Sequence, residues 1–493
     1  MKLSLLPFVL LLVANLHSSG AWRSFKKGRN NYGDIGEPNL SKLRDPPKEQ
    51  WFTQYLDHDD VVEGRTWKQR YFMNSDYYKD GGPIFLMIGG EGPASGKWML
   101  EGAMIEYARD FGAMCFLLEH RYYGMSHPVS DLGVKNMKWL TSQQALGDLA
   151  YFINGMKGEH KLTNNKWIVF GGSYPGSLAA WMRYKYPHLV HGAVSSSGPL
   201  LAKIDFQEYM IVVEESLKTH SQACVDAIAN ATSQVDLFLK HRNGQQELEK
   251  LFHFCDPIDQ GHTSQDDIAN LYETVAEYIA DVVQYNKDNR NGSSISIDDV
   301  CDVMVDQSKG IPLQRLAKVI SMLLEKNKDK CLDYKFNKMV DELRNLTWSE
   351  QEKEAGGRQW MYQTCTEFGF YQTSTARPKL FSQSFPVEFF IKQCTKVFGP
   401  RFEHTLEPGV IRTNLIYGGL TLPEVVSNVV FVHGSIDPWH ALGIINSTLP
   451  NAPSIFIKGT AHCANVYPSS DKDLPQLTEA RKKIAGLIKE WLM

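Results

Sequence analysis

Short apolar runs recur along the chain, and a loop containing glycine, proline or polar residues follows each of them. The runs cover residues 83–88, 113–118, 167–170, 429–432 and 455–457. Apolar runs of this length, rich in β-branched and aromatic residues, are typical of strands buried on both faces of a sheet. The pattern therefore predicts a core of buried strands, and the carboxyl ends of such strands are where α/β folds bind ligands.

A different periodicity governs the middle of the chain, from residue 206 to about residue 348. Apolar residues there recur three and four positions apart, the spacing of amphipathic helices. No strand pattern of comparable strength interrupts them. The predicted helices cover 206–218, 224–240, 266–285 and 313–324.

These two patterns predict a core interrupted by an insertion, because 493 residues exceed what one core usually holds. The first part of the core covers 51–200, the helical insertion 201–350 and the second part of the core 351–493. We expect the insertion to cover the mouth of the site and to exclude long or folded substrates. A purely structural or partner-binding insertion is the alternative.

The chain offers a candidate nucleophile in the segment Gly171-Gly172-Ser173-Tyr174-Pro175-Gly176. A buried strand precedes it and a helical pattern follows it, so Ser173 is predicted at the tip of a strand–turn–helix elbow. The backbone N–H of Tyr174, near the helix N-terminus, can donate to a developing oxyanion. The alternative is a glycine–serine turn without chemistry.

A nucleophilic serine needs an oriented base, and the chain supplies candidates for both partners in the expected order. Asp437 follows the run 429–432, and His462 follows the run 455–457. Taken alone, Asp437 could simply start a turn before a proline, and His462 could be an ordinary loop histidine. The ordered occurrence of three residues at strand ends favours a Ser173–Asp437–His462 triad.

Several of these motifs together resemble one known family. The resemblance runs from about Trp51 to the C-terminus and implicates the serine exopeptidases that include lysosomal Pro-X carboxypeptidase, dipeptidyl peptidase II and thymus-specific serine protease, the last branch being most similar. It implies an α/β-hydrolase core with a helical cap, removal of residues beside proline or small residues from peptide ends, and the same triad. The motifs that carry it are 171–176 with 178–181, 119–124, 89–92, Gly434 with 437–440, and 461–462.

The glycine-rich loop after the run 83–88 is the predicted second half of the oxyanion hole. Gly89 and Gly90 allow backbone N–H groups to approach a substrate carbonyl closely. A glycine-rich turn with no role is the alternative. Glu91, in the same loop, either steers the amino group of a peptide or is a solvated loop acid.

Four further residues are candidates for substrate binding. Arg121 either lines the pocket or pairs with Glu119 in a buried network. Glu367 either holds a substrate amine or sits in a buried hydrogen-bonded network. Phe370 and Trp439 are predicted walls of an apolar pocket for a proline ring. Ser177 stands where the Pro-X carboxypeptidase branch has methionine, so the resemblance does not predict a strict proline preference.

The start of the chain and its cysteines indicate the secretory pathway. Residues 1–20 have the basic start, apolar middle and small-residue end of a signal peptide, and 21–50 form a solvated irregular leader or, alternatively, a trimmed pro-segment. Six of the eight cysteines fall in or just after the insertion, which predicts three disulfides, while Cys115 and Cys463 are predicted packing residues. N-glycosylation sequons occur at Asn39, Asn230, Asn291, Asn345 and Asn446.

The composition of the chain limits the classes of molecule that it is expected to bind. A net charge of −4 gives no reason to expect a nucleic acid or an anionic membrane. No later apolar run approaches the ~18 residues of a membrane span, and no grouping of histidine and cysteine suggests a metal. No cofactor is expected, and a homodimer is left open.

The predicted function is that of a serine exopeptidase, lysosomal or secreted, with peptide substrates. The sequence does not separate trimming of amino ends from trimming of carboxyl ends. A serine esterase or lipase with the same triad is one alternative, and a non-catalytic lumenal binding protein on the same fold is the other.

Overall fold

The computed structural model describes residues 35–40, 44–258, 263–287, 295–348, 356–376 and 380–493. The predicted signal peptide and Asn291 lie outside these ranges, as does much of the predicted leader. The leader residues that are described are not solvated as a group. Ile35 is buried, and its carbonyl accepts a hydrogen bond from the hydroxyl of Tyr467 at 2.7 Å.

An eight-stranded sheet forms the centre, in the order β1-β2-β4-β3-β5-β6-β9-β10. β2 pairs antiparallel with both β1 and β4. All the other neighbouring strands of the sheet pair in parallel. This arrangement is that of the α/β-hydrolase fold, so the predicted fold is confirmed. Two further strands, β7 and β8, pair with each other in a separate sheet. The ten strands are β1 (Gln50–Tyr55), β2 (Thr66–Asn74), β3 (Ile84–Ile88), β4 (Met114–Leu118), β5 (Trp167–Gly172), β6 (Gly192–Ser196), β7 (Lys203–Asp205), β8 (Gly369–Tyr371), β9 (Val429–Gly434) and β10 (Ser454–Ile457).

The central strands are apolar throughout because both faces of the sheet are covered. In β3, Ile84, Leu86 and Ile88 belong to one apolar cluster, while Phe85 and Met87 belong to another on the opposite face. Successive side chains of a strand point to opposite faces, so each strand supplies both clusters. The five predicted apolar runs all form strands of this sheet, and their carboxyl ends meet at one edge.

Helices cover the sheet and fill the predicted insertion between β7 and β8. The four predicted helices of that region are confirmed within two or three residues at each end. Shorter helices at 242–251, 297–305 and 336–343 were not predicted. The helices of eight or more residues are α1 (Ala103–Phe111), α2 (Ser142–Glu159), α3 (Tyr174–Lys185), α4 (Glu208–Lys218), α5 (Gln222–Leu239), α6 (Arg242–Leu251), α7 (Gln265–Gln284), α8 (Ile297–Val305), α9 (Pro312–Asn327), α10 (Phe336–Leu343), α11 (Val387–Phe398), α12 (Leu406–Tyr417) and α13 (Pro475–Leu492).

Three disulfides connect the six cysteines that were expected to pair: Cys224–Cys301, Cys255–Cys331 and Cys365–Cys394. Cys115 and Cys463 are buried thiols, as predicted. Two of the bridges lie within the helical region: Cys224–Cys301 joins α5 to α8, and Cys255–Cys331 joins the loops that follow α6 and α9. The exact boundaries of the insertion stay a prediction. Among the described helices, none combines the length and apolar character needed to cross a membrane.

Candidate active site

Ser173 occupies a strained turn between β5 and α3. Its φ of 67° and ψ of −136° lie in a region that residues other than glycine rarely adopt. Glycines on both sides make the turn feasible: a Cβ on Gly171 would lie 1.9 Å from the carbonyl oxygen of Pro175, and one on Gly176 would lie 2.6 Å from that of Ser196. The turn presents the half-buried Ser173 side chain at the carboxyl edge of the sheet.

Asp437 and His462 form a buried pair at the same edge. His462 Nδ1 donates to Asp437 Oδ1 at 2.9 Å, and the same oxygen accepts the backbone N–H of Trp439 at 3.0 Å. Asp437 is fully buried and His462 is 1% exposed. Asp437 follows β9 and His462 follows β10, as the apolar runs predicted.

Burial and mutual charge act in opposite directions on this pair. Burial alone would lower the pKa of His462, but the facing carboxylate raises it well above its ordinary value. For Asp437, burial opposes ionisation, and the charge of His462 holds the pKa below its ordinary value. Each partner therefore stabilises the charged form of the other.

The end of β6 connects the serine turn to the histidine loop. Ser173 N donates to Ser196 O at 2.9 Å, and Cys463 N donates to Ser197 Oγ at 2.9 Å. The three strand-end residues of the predicted triad thus lie on one edge, held by adjacent residues of β6 and the loop after it. Across the described residues, no hydrogen bond joins Ser173 Oγ to His462 Nε2. Catalytic hydrogen bonds are often long until substrate binds.

The glycine loop after β3 supports one of the two predicted oxyanion residues and excludes the other. Gly90 faces the serine turn, since a Cβ there would lie 2.6 Å from Pro175 Cγ. Gly89 N instead donates to Leu118 O at 2.9 Å, as part of the β3–β4 pairing. The N–H of Gly89 is already used, so its predicted role is wrong. The phenol of Tyr174 is buried and bonds to His120 and Gln363, both at 3.1 Å.

Arg121 does not line a pocket. Its guanidinium is completely buried and binds Asp148 through two hydrogen bonds of 2.6 Å. A third nitrogen donates to backbone carbonyls, including that of Trp139 at 3.0 Å. Arg121 therefore takes part in a buried ion pair, as the second alternative predicted. The predicted partner, Glu119, is wrong, and the observed partner is Asp148 of α2. Glu119 binds Arg70 instead.

Glu367 sits in a buried hydrogen-bonded network, the second alternative for this residue. Its carboxylate accepts from the backbone N–H of Ser142 at 3.0 Å and from the Ser142 hydroxyl at 2.8 Å. Burial raises the pKa of Glu367 to about 7. Glu91 is also buried, at 8% exposure, so it is not a solvated loop acid.

The sequence model of one peptidase family matches this chain over residues 54–484, and its description is serine carboxypeptidase S28. That match covers most of the chain. The chain belongs to the serine carboxypeptidase S28 family. It is therefore a serine peptidase with an α/β-hydrolase core and a helical insertion.

Individual relatives agree with the S28 assignment. A Caenorhabditis elegans protein named as a serine protease is 37% identical over 95% of this chain and 94% of its own length. Thymus-specific serine protease of Mus musculus is 34% identical over 90% of this chain and 88% of its length. Lysosomal Pro-X carboxypeptidase of Bos taurus is 28% identical over 90% of this chain and 87% of its length.

In this S28 chain, the two predicted apolar walls contact each other beside the Asp437–His462 pair. The rings of Phe370 and Trp439 meet edge to face with centroids 5.5 Å apart. Trp439 Nε1 donates to Gln284 Oε1 at 2.9 Å, and the backbone carbonyl of Gln284 accepts from His462 N at 2.9 Å. Gln284, at the end of α7, thus connects the helical insertion to both loops. The sequence analysis missed it, because a single glutamine at a helix end gives no distinguishing signal.

Phe370 also lines a cavity between the helical insertion and the core, with about 570 Å³ of empty space that includes open solvent. Glu273 and Glu277 of α7 reach it from the insertion side, and the sequence analysis did not single them out. The available signal was weak: two acids one turn apart within a helix that is otherwise largely apolar. The remaining walls include Met210, Trp360, Met361, Tyr371, Phe390 and Gln393.

Four of the five sequon asparagines lie within the described residues, and all four are exposed. Asn39, Asn230, Asn345 and Asn446 all have exposed side chains, as attachment of a glycan requires. Their glycosylation stays a prediction. The described residues contain no group of three or more histidines, cysteines or acids that could hold a metal ion.

Proposed function

We propose that Ser173, Asp437 and His462 form the catalytic triad of an exopeptidase that hydrolyses peptide bonds near chain ends. The observation that carries this proposal is the 2.9 Å bond from His462 Nδ1 to Asp437 Oδ1, fully buried at the edge that also presents Ser173 on its strained turn. With Nδ1 held by the carboxylate, Nε2 is the nitrogen left for chemistry.

The reaction proceeds by acyl transfer. His462 Nε2 takes the proton of Ser173 Oγ as that oxygen attacks the scissile carbonyl, and the Asp437 carboxylate stabilises the imidazolium. The backbone N–H of Tyr174 and one from the loop at Gly90 stabilise the oxyanion. His462 then protonates the leaving amine. His462 then deprotonates a water molecule, which attacks the ester carbonyl. The bond to Ser173 Oγ breaks, the acid leaves, and His462 returns the proton to Ser173 Oγ.

The helical insertion favours chain ends over internal bonds. Gln284 of α7 contacts both the Trp439 loop and the His462 loop, so the insertion covers the site closely on this side. The rings of Phe370 and Trp439 suit a proline or another small apolar residue next to the cleaved bond. The relatives named for thymus-specific protease and lysosomal Pro-X carboxypeptidase support peptide substrates for this chain.

The secretory pathway is the proposed location. Three disulfides require an oxidising compartment, and the exposed sequons agree with passage through it. Whether the protein acts in lysosomes or outside the cell is decided by locating the tagged, full-length chain in cells.

Mass spectrometry of peptide products tests the proposed function. The purified protein is incubated with Ala-Pro-Ala-Phe-Pro-Phe at acid and neutral pH. We expect wild type to release a fragment from one end and Ser173→Ala to lose about 10⁴-fold or more in rate, as removal of a triad member does. Ser195→Ala is the matched control, because this buried hydroxyl on β6 has no hydrogen-bond partner in the part of the chain that the structure describes. Equal activity of wild type and Ser173→Ala, with unchanged circular dichroism, rules out Ser173 as the nucleophile.

A further inference from the structure

We propose that the cavity beside Phe370 binds the free amino end of the peptide, with Glu273 and Glu277 accepting hydrogen bonds from its ammonium group. The proposal rests on the proposed function, and it decides which end of the peptide is trimmed. Neither glutamate was a candidate in the sequence analysis, which considered Glu91 and Glu367 for this role.

The charge of the cavity supports an amine and opposes a carboxylate. Glu273 and Glu277 are one turn apart on α7, so their side chains lie on the same face of the helix. Both line the cavity and both are more than nine-tenths buried. No lysine, arginine or histidine is found among the described residues that line it. A peptide carboxylate would meet only like charge here, whereas an ammonium would meet opposite charge at low dielectric.

Two amides supply the other half of the recognition. Gln372 and Gln393 line the same cavity, at 7% and 4% exposure, and the Nε2 atom of each has no hydrogen-bond partner among the described residues. A buried donor left without an acceptor is costly, so these groups point to a ligand that accepts. The first peptide carbonyl of a substrate is such an acceptor, and it lies next to the amino group that the glutamates bind.

The position of the cavity fits the trimming of short fragments. Phe370 forms one wall and contacts Trp439, whose backbone N–H binds Asp437. Trp360 forms another wall, and its ring lies 5.6 Å from that of Tyr174, the residue after Ser173. The cavity therefore adjoins residues next to both the nucleophile and the acid. An amino end held there leaves one or two residues before the cleaved bond, as in a dipeptidyl peptidase.

Three forms of one peptide test this proposal on wild-type protein: Ala-Pro-Ala-Phe-Pro-Phe with both ends free, with an acetylated amino end, and with an amidated carboxyl end. We expect release of Ala-Pro from the free and the amidated peptides at similar rates. Acetylation should lower kcat/KM by about 10- to 100-fold, the range that loss of a charge-assisted hydrogen bond gives. Similar rates for free and acetylated peptides, or a loss on amidation instead, would overturn the proposal.

Variants then assign the effect to the two glutamates. In Glu273→Gln, Glu277→Gln and the double variant, we expect kcat/KM for the free peptide to fall by about 10- to 100-fold and the rate on acetylated peptide to stay unchanged. The ratio of the two rates, which a general loss of folded protein cannot alter, should approach one in the double variant. Glu215→Gln, an exposed glutamate on α4, is the control. A ratio that keeps its wild-type value in the double variant contradicts the assignment.

The same experiments separate this proposal from the proposed function. If wild type cleaves none of the three peptides, the peptidase proposal itself fails. If it cleaves them and Ser173→Ala does not, but the rates ignore acetylation, only the amino-end proposal fails. Should the double variant not fold, the comparison of the three peptides on wild type still decides the question.

Discussion

Two buried charge pairs lie at strand ends of this protein, and we propose different roles for them. Arg121 and Asp148 are buried beside the end of β4, and Asp437 and His462 are buried beside the ends of β9 and β10. In the first pair, every guanidinium nitrogen of Arg121 donates to a group of the protein. In the second pair, only Nδ1 of His462 is bound, and Nε2 makes no hydrogen bond within the described residues.

The difference shows how a structural pair is distinguished from a reactive one. A buried ion pair offsets its desolvation only when all its donors and acceptors are used, and it then has nothing left for a substrate. The Asp437–His462 pair uses Nδ1 of the imidazole and leaves Nε2 without a hydrogen bond among the described residues, as the proposed general base requires. Burial alone therefore does not distinguish the two pairs; the use of their donors and acceptors does.

The largest expected loss of activity comes from a variant that breaks the second pair, Asp437–His462. Asp437→Asn should lower kcat by about 10⁴-fold, because the amide no longer fixes the imidazole in the reactive tautomer. It also removes the charge that raises the pKa of His462. Since His462 must be neutral to act as a base, kcat/KM rises as pH passes its pKa, and this rise should move to lower pH in Asp437→Asn.

Rates of peptide hydrolysis measured across pH, with circular dichroism to verify the fold, check this expectation. Asp302→Asn is a matched control, because Asp302 of α8 also faces a histidine, His220, but its side chain is 74% exposed. Activity of Asp437→Asn within tenfold of wild type would make the second pair structural, like the first.

Breaking the first pair should affect stability rather than chemistry. Arg121→Met leaves the buried Asp148 with only the His58 imidazole, whose Nε2 lies 2.8 Å from Asp148 Oδ1, as its side-chain partner. Loss of the guanidinium should cost up to about 3–5 kcal/mol in the free energy of unfolding. The double variant Arg121→Met/Asp148→Leu removes both charges and should regain most of that loss. Urea midpoints measure the stability, and kcat/KM per folded molecule should stay at the wild-type value.

The opposite result would favour the other alternative for Arg121, that of a residue lining the substrate pocket. A stable Arg121→Met protein with a raised KM would mean that the guanidinium contacts substrate after all. A double variant no more stable than the single one would mean that the loss comes from packing of the arginine side chain and not from the unpaired carboxylate.

A smaller effect, on the pH dependence of stability, is expected from a third buried ionisable group, Glu367. Its carboxylate accepts hydrogen bonds from Ser142, a neutral residue, instead of pairing with a cation. Its pKa is about 7 in the folded protein, against about 4.3 for an unperturbed glutamate. Between these values the folded state keeps a proton that the unfolded state has lost, so stability falls as pH rises through this window. The loss is on the order of 3 kcal/mol when complete.

Glu367→Gln should remove this pH-dependent loss while keeping an oxygen for Ser142. Urea midpoints at pH 4.5 and pH 7.5 measure it, and the difference between the two pH values should be smaller in the variant than in wild type. Equal differences in both proteins would show that Glu367 stays ionised and that its network stabilises the charged form.

Much of this molecule could be predicted from short stretches of sequence. The apolar runs that form β3, β4, β5, β9 and β10 are continuous because each strand is buried on both faces, and the amphipathic helices of the insertion have their own period. The candidate triad followed from the same reasoning. Each of its residues comes directly after a strand, and the carboxyl ends of parallel strands meet at one edge.

Partner choice over long separations could not be predicted in this way. Arg121 pairs with Asp148 and not with its near neighbour Glu119. Asp148 lies on α2, and it meets Arg121 only because α2 packs beside the end of β4. Gly89 was expected to donate to substrate, but the register of β3 and β4 uses its N–H in the sheet. In both cases the error concerns the hydrogen-bond partner of a polar group. The pattern of residues along the chain carries no information on which of several nearby groups becomes that partner.

The sequence by itself determined five of the buried strands, the four longer helices of the insertion and the strand ends that carry Ser173, Asp437 and His462, because periodicity and turn chemistry are local properties. Only the tertiary structure decided what surrounds them. The cavity joins Glu273 and Glu277 of the insertion to Gln372 and Gln393, about a hundred residues later along the chain. Such a site exists only once the insertion has folded back over the core, since its donors and acceptors come from segments that no local pattern relates.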